Sequence, residues 1–444
     1  MTRRRVVITG MGAVTPLAHN VEELWRKVLQ GESGAAATTI FDAGTFPSQF
    51  SCEVKGFSHT KDLPEGVGER HNTTARHIGF MLSAALQAWR QSKLPIPLPD
   101  QVSEANGYLP PADQVGIYLG AGEGPVDFDN FVGALVAGWQ SDTKDINWQK
   151  WSEFAFANMA ARKELEQEPN MPAAHAAQMF RLRGPNMSCL TACAASTQAI
   201  GEATELIRGG QAEIMVAGGA HSMIHALGVT GFNRLTALSR RNNNPQKASR
   251  PFDRDRDGFI IAEGAGCVIL EELECARRRG VPILGELVGY GSTADAFRIT
   301  DQHEDGRGGI AAGRLALLDA GMAPGDIDYI SAHGTSTIEN DSIETKVIKA
   351  VFGEHAYQVP VSSVKSMLGH LIAAAGVVEL ITCVLAIRDQ ILPATINLEN
   401  PDPECDLDYV PNQARPAKVE VAMSNSFGFG GQNNTVIVRR FVEN

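Results

Sequence analysis

Short apolar, β-branched runs alternate along this chain with stretches whose apolar residues recur every three or four positions. That alternation is the signature of an α/β fold with buried strands. Val6–Thr9, Val115–Leu119, Ile214–Ala217, Cys267–Leu270, Ile283–Val288 and Ile327–Ser331 predict strands. Asn20, with Glu23 three residues on, predicts a capped helix that runs to Leu29 and stops before Gly31. A second helix follows Cys193: Ala195, Ala199, Ala203, Leu206 and Ile207 form its apolar stripe and Gly209-Gly210 ends it. A third begins near Gly369, opened by His370, and carries Ile372, Val377, Leu380, Ile381 and Leu385.

The pattern has a faint internal echo. Tyr118-Leu-Gly-Ala-Gly-Glu-Gly124 resembles Tyr329-Ile-Ser-Ala-His-Gly-Thr335, which suggests a duplication with the functional site at the join. A chain of 444 residues also exceeds one typical core, so two closely packed halves are expected, residues 1–280 and 281–444. The pattern breaks down around 124–172. There Trp, Asn, Lys and Glu predict an inserted helical excursion, clearest from Trp139 to Pro172.

Charge and cysteine usage narrow the function classes. A net charge of −12 argues against nucleic acid as the main partner, because phosphate binding needs concentrated Lys and Arg. No apolar run reaches the roughly 18 residues of a membrane span. Thr2-Arg-Arg-Arg5 before an apolar run resembles a secretory signal, but Gly10 and Gly12 interrupt it and no cleavage site follows, so a buried strand is expected. Arg277-Arg-Arg279 closes a helix, where cations complement the dipole. Seven scattered cysteines predict reduced thiols in a cytoplasmic compartment. Cys189 and Cys193 have the wrong spacing for a zinc knuckle, so no metal is expected.

Candidate chemistry gathers at four residues. Cys193, at a helix N-terminus, is expected to have its thiol pKa lowered by unpaired N–H groups and the helix dipole. Its neighbours in Thr191-Ala-Cys-Ala-Ala-Ser196 are small, which leaves room for a covalent intermediate. His333 lies at the carboxyl end of a strand, where α/β folds place their ligands. His370 and Lys365 follow a strand that ends near Val364. One soft nucleophile and two imidazoles suffice for thioester chemistry.

With these residues in view, the chain resembles an elongating β-ketoacyl-acyl carrier protein synthase of the synthase II class. The resemblance is carried by Arg4-Arg-Val-Val-Ile-Thr-Gly10, Thr191-Ala-Cys193, Met215-Val-Ala-Gly-Gly-Ala220, Ser249-Arg-Pro-Phe-Asp253, Asp257-Gly-Phe259, His333-Gly-Thr-Ser-Thr337, Lys365-Ser-Met-Leu-Gly-His370 and Asn425-Ser-Phe-Gly-Phe-Gly-Gly431. It implies a thiolase-like αβαβα fold duplicated in one chain, a homodimer, and an acyl carrier protein as partner. It also implies roles. Cys193 takes the acyl group, the N–H groups of Cys193 and Phe429 form an oxyanion hole, and His333 and His370 stabilise the enolate left by malonyl decarboxylation. Lys365 supports the histidines, with Glu379 as its partner, and Thr335 and Thr337 hold the phosphopantetheine arm. Phe429 is also a gate, its loop freed by Gly428, Gly430 and Gly431. Phe232 belongs to the acyl pocket. No cofactor is required, because the substrates carry their own phosphopantetheine.

Leu368 and Gln432 stand where such synthases usually have Thr. The carrier-docking segment keeps Arg70 and His71 alone, so Arg234, Arg240 and Arg241 are expected to compensate. Glu123 occupies an acyl-pocket position that is otherwise apolar, and either faces solvent or an arginine or makes the pocket polar. Two other readings are weaker. A thiolase needs a second catalytic cysteine, absent from Asn425–Gly431, and a non-catalytic chain-length subunit typically lacks the nucleophile that Cys193 supplies.

Overall fold

The structure, a computed structural model, describes residues 3–64, 66–71, 74–95, 108–122, 124 and 127–443. Strands β1 (Val6–Val14), β2 (Val115–Ala121), β3 (Asn186–Cys189), β4 (Ile214–His221) and β5 (Gly264–Glu272) come from the first part of the chain. Strands β6 (Gly285–Ala294), β7 (Tyr329–Ser331), β8 (Val361–Ser362), β9 (Val421–Gly428) and β10 (Gln432–Arg439) come from the rest. They hydrogen-bond in the order β8-β7-β9-β10-β6-β1-β5-β4-β2-β3. Outward from the β1–β6 seam, each half therefore reads first, fifth, fourth, second, third. Strand senses repeat too: antiparallel for the two inner pairings, parallel for the two outer ones. The seam pairs Val6 with Leu287, Val7 with Glu286 and Ile8 with Gly285, antiparallel.

Six helices set the layers: α1 (Arg76–Gln91), α2 (Met171–Phe180), α3 (Ala195–Arg208), α4 (Arg307–Ala320), α5 (Ile338–Phe352) and α6 (Ala375–Asp389). Helices α3 and α6 pack on each other and touch strands of both halves, while α1 and α2 cover the outside of the first half and α4 and α5 that of the second. The result is an αβαβα stack. Helix α6 is buried on every side up to Ile387, as a helix that is apolar all round must be. Ser196 Oγ of α3 accepts from the Val377 N–H of α6 at 3.0 Å, and Thr197 bonds Ser426 of β9 at 2.7 Å, so the central layer is tied across the halves.

The predicted strands all form, most of them longer than expected, although the one predicted from Ile283 starts at Gly285 and the one predicted from Ile327 is confined to Tyr329–Ser331. The helix at Val21–Leu29 is capped as expected, Asn20 Oδ1 accepting from the Glu23 N–H at 2.9 Å. Gly10 and Gly12 have a packing reason: a Cβ on either would lie about 2 Å from the carbonyl oxygens of Ala88 and Ala84, so α1 seats on β1 only where these side chains are missing. The third helix begins at Ala375, later than periodicity suggests. Gly369 has φ +70°, and His370 lies in extended backbone beside Ile261, its N–H donating to Ile260 O at 2.7 Å. Strands β9 and β10 escape a hydrophobic reading because many of their buried positions are polar, and β3 escapes it because it is an exposed to half-buried edge strand. Ser424, Asn425, Ser426, Asn433, Asn434 and Thr435 are all buried, and internal bonds such as Thr435 Oγ1 to Asn425 Oδ1 at 3.0 Å satisfy them.

The excursion folds as helices Phe128–Gly138, Trp148–Asn158 and Ala161–Leu165 around a small hairpin, Trp139–Gln140 with Asp145–Ile146. Glu166 ties it to the body, one of its oxygens accepting from the Ala75 N–H at 3.0 Å.

Candidate active site

Helices α3 and α6 are each entered through a single 3-10 turn, Ala192–Ala194 and Ile372–Ala374, whose first residue is forced to positive φ, +48° at Ala192 and +50° at Ile372. Side chains pay for that conformation, so the two turns are matched, strained elbows at equivalent places in the halves. Cys193 sits at the tip of the first and Ala373 at the tip of the second. The nucleophile is thus held just ahead of α3, close to where the sequence placed it.

Opposite Cys193 stand two imidazoles. Cys193 Sγ and one ring nitrogen each of His333 and His370 lie within 4.8 Å of one another, and the rings meet edge to face with centroids 5.4 Å apart. His333 follows the carboxyl end of β7, as expected, whereas His370 is placed by its pairing with Ile261 and not by a helix. Lys365, only 1% exposed, donates to the His333 carbonyl at 2.6 Å, approaches His333 Nδ1 at 3.4 Å and forms an ion pair with Glu379. Breaking such a buried pair costs about 3–5 kcal/mol, because the remaining charge has no solvent. The Ile372 N–H donates to His370 Nδ1 at 3.2 Å. With a donor on each Nδ1, both rings carry their proton on Nε2. The site therefore presents two N–H donors where a metal would need lone pairs.

Electrostatics correct one expectation. Burial pushes the Cys193 thiol up, to about 11, although the Lys365 charge and the backbone N–H groups of Phe429 and Cys193 oppose it. The helix end is present, but a thiol that is 5% exposed loses more from desolvation than the dipole returns. The same burial holds His333 and His370 well below the ordinary imidazole value, with the Lys365 charge adding to it at both, His370 at His333 and His221 at His370. Both stay neutral at physiological pH.

A cavity of about 420 Å³ opens onto this group, lined by Cys193, His333, His370 and Phe427 together with Thr335, Thr337 and Phe429. The Thr335 and Thr337 hydroxyls bond each other at 2.9 Å, and Thr337 also caps α5. Phe429 is half-buried at the turn between β9 and β10, where Gly430 and Gly431 take φ of +85° and +76°. Phe232 packs edge to face on Phe259, within the apolar cluster that holds Cys193. Leu368 is buried in the main core and Gln432 opens β10.

The docking arginines are not brought together as a set. Arg234 and Arg240 are exposed and line one shallow cavity, which shares Thr236 with the larger one and so adjoins it. Arg241 is half-buried, bonded to the Asp255 carbonyl and 3.5 Å from Asp257. Arg70 is on a separate short helix, Val67–His71, its Nε bonded to Gly66 O at 2.7 Å. Glu123 lies outside the described residues.

One functional residue had no signal in the sequence. Glu344 of α5 accepts from the N–H groups of His333 and Gly334 at 2.8 and 2.7 Å, which fixes the backbone that carries the imidazole. Burial pushes its carboxyl up, to about 7. Among the acids of an amphipathic helix it looks like part of a solvated face.

Burial also holds His77 near 4 and His221 near 3. Unfolded, both titrate near 6.5, so below that pH the unfolded chain binds more protons than the folded one. Stability is expected to be full above about pH 6.5 and to fall as pH drops toward 4, by about 1.4 kcal/mol per pH unit for each such histidine. Urea midpoints between pH 7.5 and 5 check this, and a His77→Phe, His221→Phe double variant should flatten the slope.

The family descriptions "Beta-ketoacyl synthase, N-terminal domain" and "Beta-ketoacyl synthase, C-terminal domain" match residues 3–276 and 284–399. The 3-oxoacyl-[acyl-carrier-protein] synthase 2 of Coxiella burnetii is 41% identical and that of Synechocystis sp. 42% identical, each over 99% of both chains. Among solved structures, AntDE:AntF, a type II PKS acyl-carrier protein in complex with its ketosynthase bound to the hexaketide, matches with a TM-score of 0.84 and 32% identity, covering 99% of this chain and 100% of that one. A β-ketoacyl synthase from Burkholderia phymatum matches at 0.82 and 30%, with the same coverage.

Proposed function

The chain belongs to the β-ketoacyl synthase family, and from that premise we infer how Cys193, His333 and His370 divide one reaction between them. The protein is a β-ketoacyl-acyl carrier protein synthase with a thiolase-like fold, an acyltransferase that elongates a fatty-acyl or related chain by two carbons. The observation that carries the mechanism is the close group of one thiol and two Nε2–H imidazoles lining one cavity.

In the first half-reaction Cys193 Sγ attacks the acyl thioester. The carrier thiol leaves with the proton that Cys193 gives up, and the Cys193 and Phe429 N–H groups hold the tetrahedral oxyanion. In the second, malonyl thioester loses CO2 while the two imidazole N–H groups hold its carbonyl oxygen as the enolate forms. The enolate carbon attacks the acyl-Cys193 carbonyl, the C–S bond breaks, and the Cys193 sulfur leaves and is reprotonated from water. The balance closes with no redox or metal cofactor. Lys365, held by Glu379, keeps the His333 tautomer, and Thr335 and Thr337 bind the pantetheine arm.

The carrier is acidic in this reading and docks at Arg234 and Arg240, beside the cavity, rather than at Arg70 or Arg241. A homodimer is proposed from β3, an edge strand with Met187 and Leu190 exposed beside it, and from the exposed Trp139, Trp148 and Phe156 of the excursion. A sedimentation mass of one chain would remove it. No described helix is long and apolar enough to cross a membrane. Seven free thiols suit a reducing, cytoplasmic compartment, a reading that export of the protein by its host would overturn.

Intact-mass spectrometry tests the function. Acyl carrier should add one acyl group to the enzyme, and malonyl carrier should then remove it, releasing CO2 and a product two carbons longer. Arg234→Glu with Arg240→Glu should raise the KM for the carrier about tenfold and leave short pantetheine thioesters nearly unaffected, with the difference shrinking in salt. Equal losses with both substrates would mean that these arginines support the fold.

A further inference from the structure

One segment that packs into the apolar cluster around Cys193 also carries two imidazoles that the mechanism does not use. Met223 and Ile224 belong to that cluster, and the same segment carries His221, the last residue of β4, and His225. Strand alternation fixes which way His221 faces. A Cβ on Gly219 would meet Ala373 O at 2.7 Å and Ser196 Cβ at 2.9 Å, and one on Gly120 would meet Ala195 C at 2.3 Å, so both positions face the layer that starts at Cys193. His221, two residues beyond Gly219 on β4, faces the same way, and Gly122, just past the end of β2, lies against it. The imidazole fills the space a Gly122 side chain would take, its Nδ1 2.1 Å from that Cβ position.

His221 is 5% exposed, and neither of its nitrogens has a hydrogen-bond partner among the described residues. His225 Nδ1 accepts from the Gly228 N–H at 3.2 Å, which puts the proton on Nε2, and that nitrogen is likewise buried and unpartnered among the described residues. Buried polar atoms without partners are rare and costly. Neutral His221 offers one donor and one acceptor, and His225 a donor. Against an alkyl chain all three go unmatched. Carbonyl or hydroxyl oxygens on a bound chain would satisfy them.

We propose that His221 and His225 are specificity-determining residues that select an acyl chain bearing keto or hydroxyl groups over a saturated one. The inference rests on Cys193 carrying the acyl group. It places the enzyme where a β-keto product is taken up again for further condensation without full reduction in between.

A competition assay tests it, with carrier-bound octanoyl, 5-oxo-octanoyl and 7-oxo-octanoyl offered together and loading on Cys193 read by mass. Wild type should load one of the oxo chains at least tenfold faster than octanoyl. His221→Leu and His225→Leu should each reduce that ratio about tenfold, and His221→Gln, which keeps a donor and an acceptor, should retain it. Equal or faster octanoyl loading by wild type overturns the proposal, as does an unchanged ratio in both leucine variants. If the leucine variants do not fold, the wild-type ratio decides alone. Failure of wild type to load even acetyl would instead sink the condensing-enzyme reading.

Discussion

Cys193→Ser is expected to abolish covalent acyl loading, a loss of at least about 10³-fold, while malonyl decarboxylation continues. The thiol has no substitute at its place. It stands on a strained elbow with two backbone N–H groups directed at it, and a serine hydroxyl there is a far poorer nucleophile that would have to shed a much less acidic proton. Burial already holds the Cys193 thiol near 11, so acyl loading by wild type should accelerate as pH rises through the neutral range, as the thiolate fraction grows. Cys189 is the control. Its Sγ is turned toward the Ala195 carbonyl at 3.2 Å, so Cys189→Ser should load normally. Peptide mapping decides: an acyl group found on Cys189 would sink the assignment.

His333→Ala and His370→Ala should show the opposite split. Each is expected to load an acyl group at Cys193 yet lose malonyl decarboxylation by about 10²–10³-fold, the effect of removing one donor from a developing oxyanion. Neither ring is needed to hold the nucleophile. His370 keeps its backbone bonds to Ile260 and Ala262 without its side chain, and Lys365 keeps Glu379 and the His333 carbonyl, so the fold should survive both changes. Thermal unfolding of each variant verifies that. Normal CO2 release by either one would remove that residue from the mechanism.

Much of the site is legible in the residues themselves. A small-residue collar around Cys193, a histidine just past the strand end at Ser331, and Lys365 with His370 beyond β8 are local patterns, set by neighbours a few positions away. Strand and helix periodicity is local in the same sense, which is why β1, β2, β4 and β5 and the helix after Cys193 are found without a structure. Where local chemistry conflicts with position in the fold, the pattern misleads. Buried Ser and Asn hide β9 and β10, and Gly369 delays α6 and leaves His370 in extended backbone.

What the sequence by itself determined, then, is the inventory: an α/β chain, its nucleophile, its two imidazoles and its lysine. Tertiary structure decided their state. Whether the Cys193 thiol is lowered or raised depends on how many atoms exclude water from it, and those come from Ile224, Val229, Leu238, Phe259, Ile261 and Ile372, while the opposing charge and N–H come from Lys365 and Phe429, all in other parts of the chain. The Nε2–H tautomers depend on Lys365 and the Ile372 N–H, and the anchoring of His333 depends on Glu344, which nothing in its own helix distinguishes from a solvated acid. Periodicity and propensity act over a few residues, whereas desolvation and Coulomb energy act through space, so only the packed halves fix them.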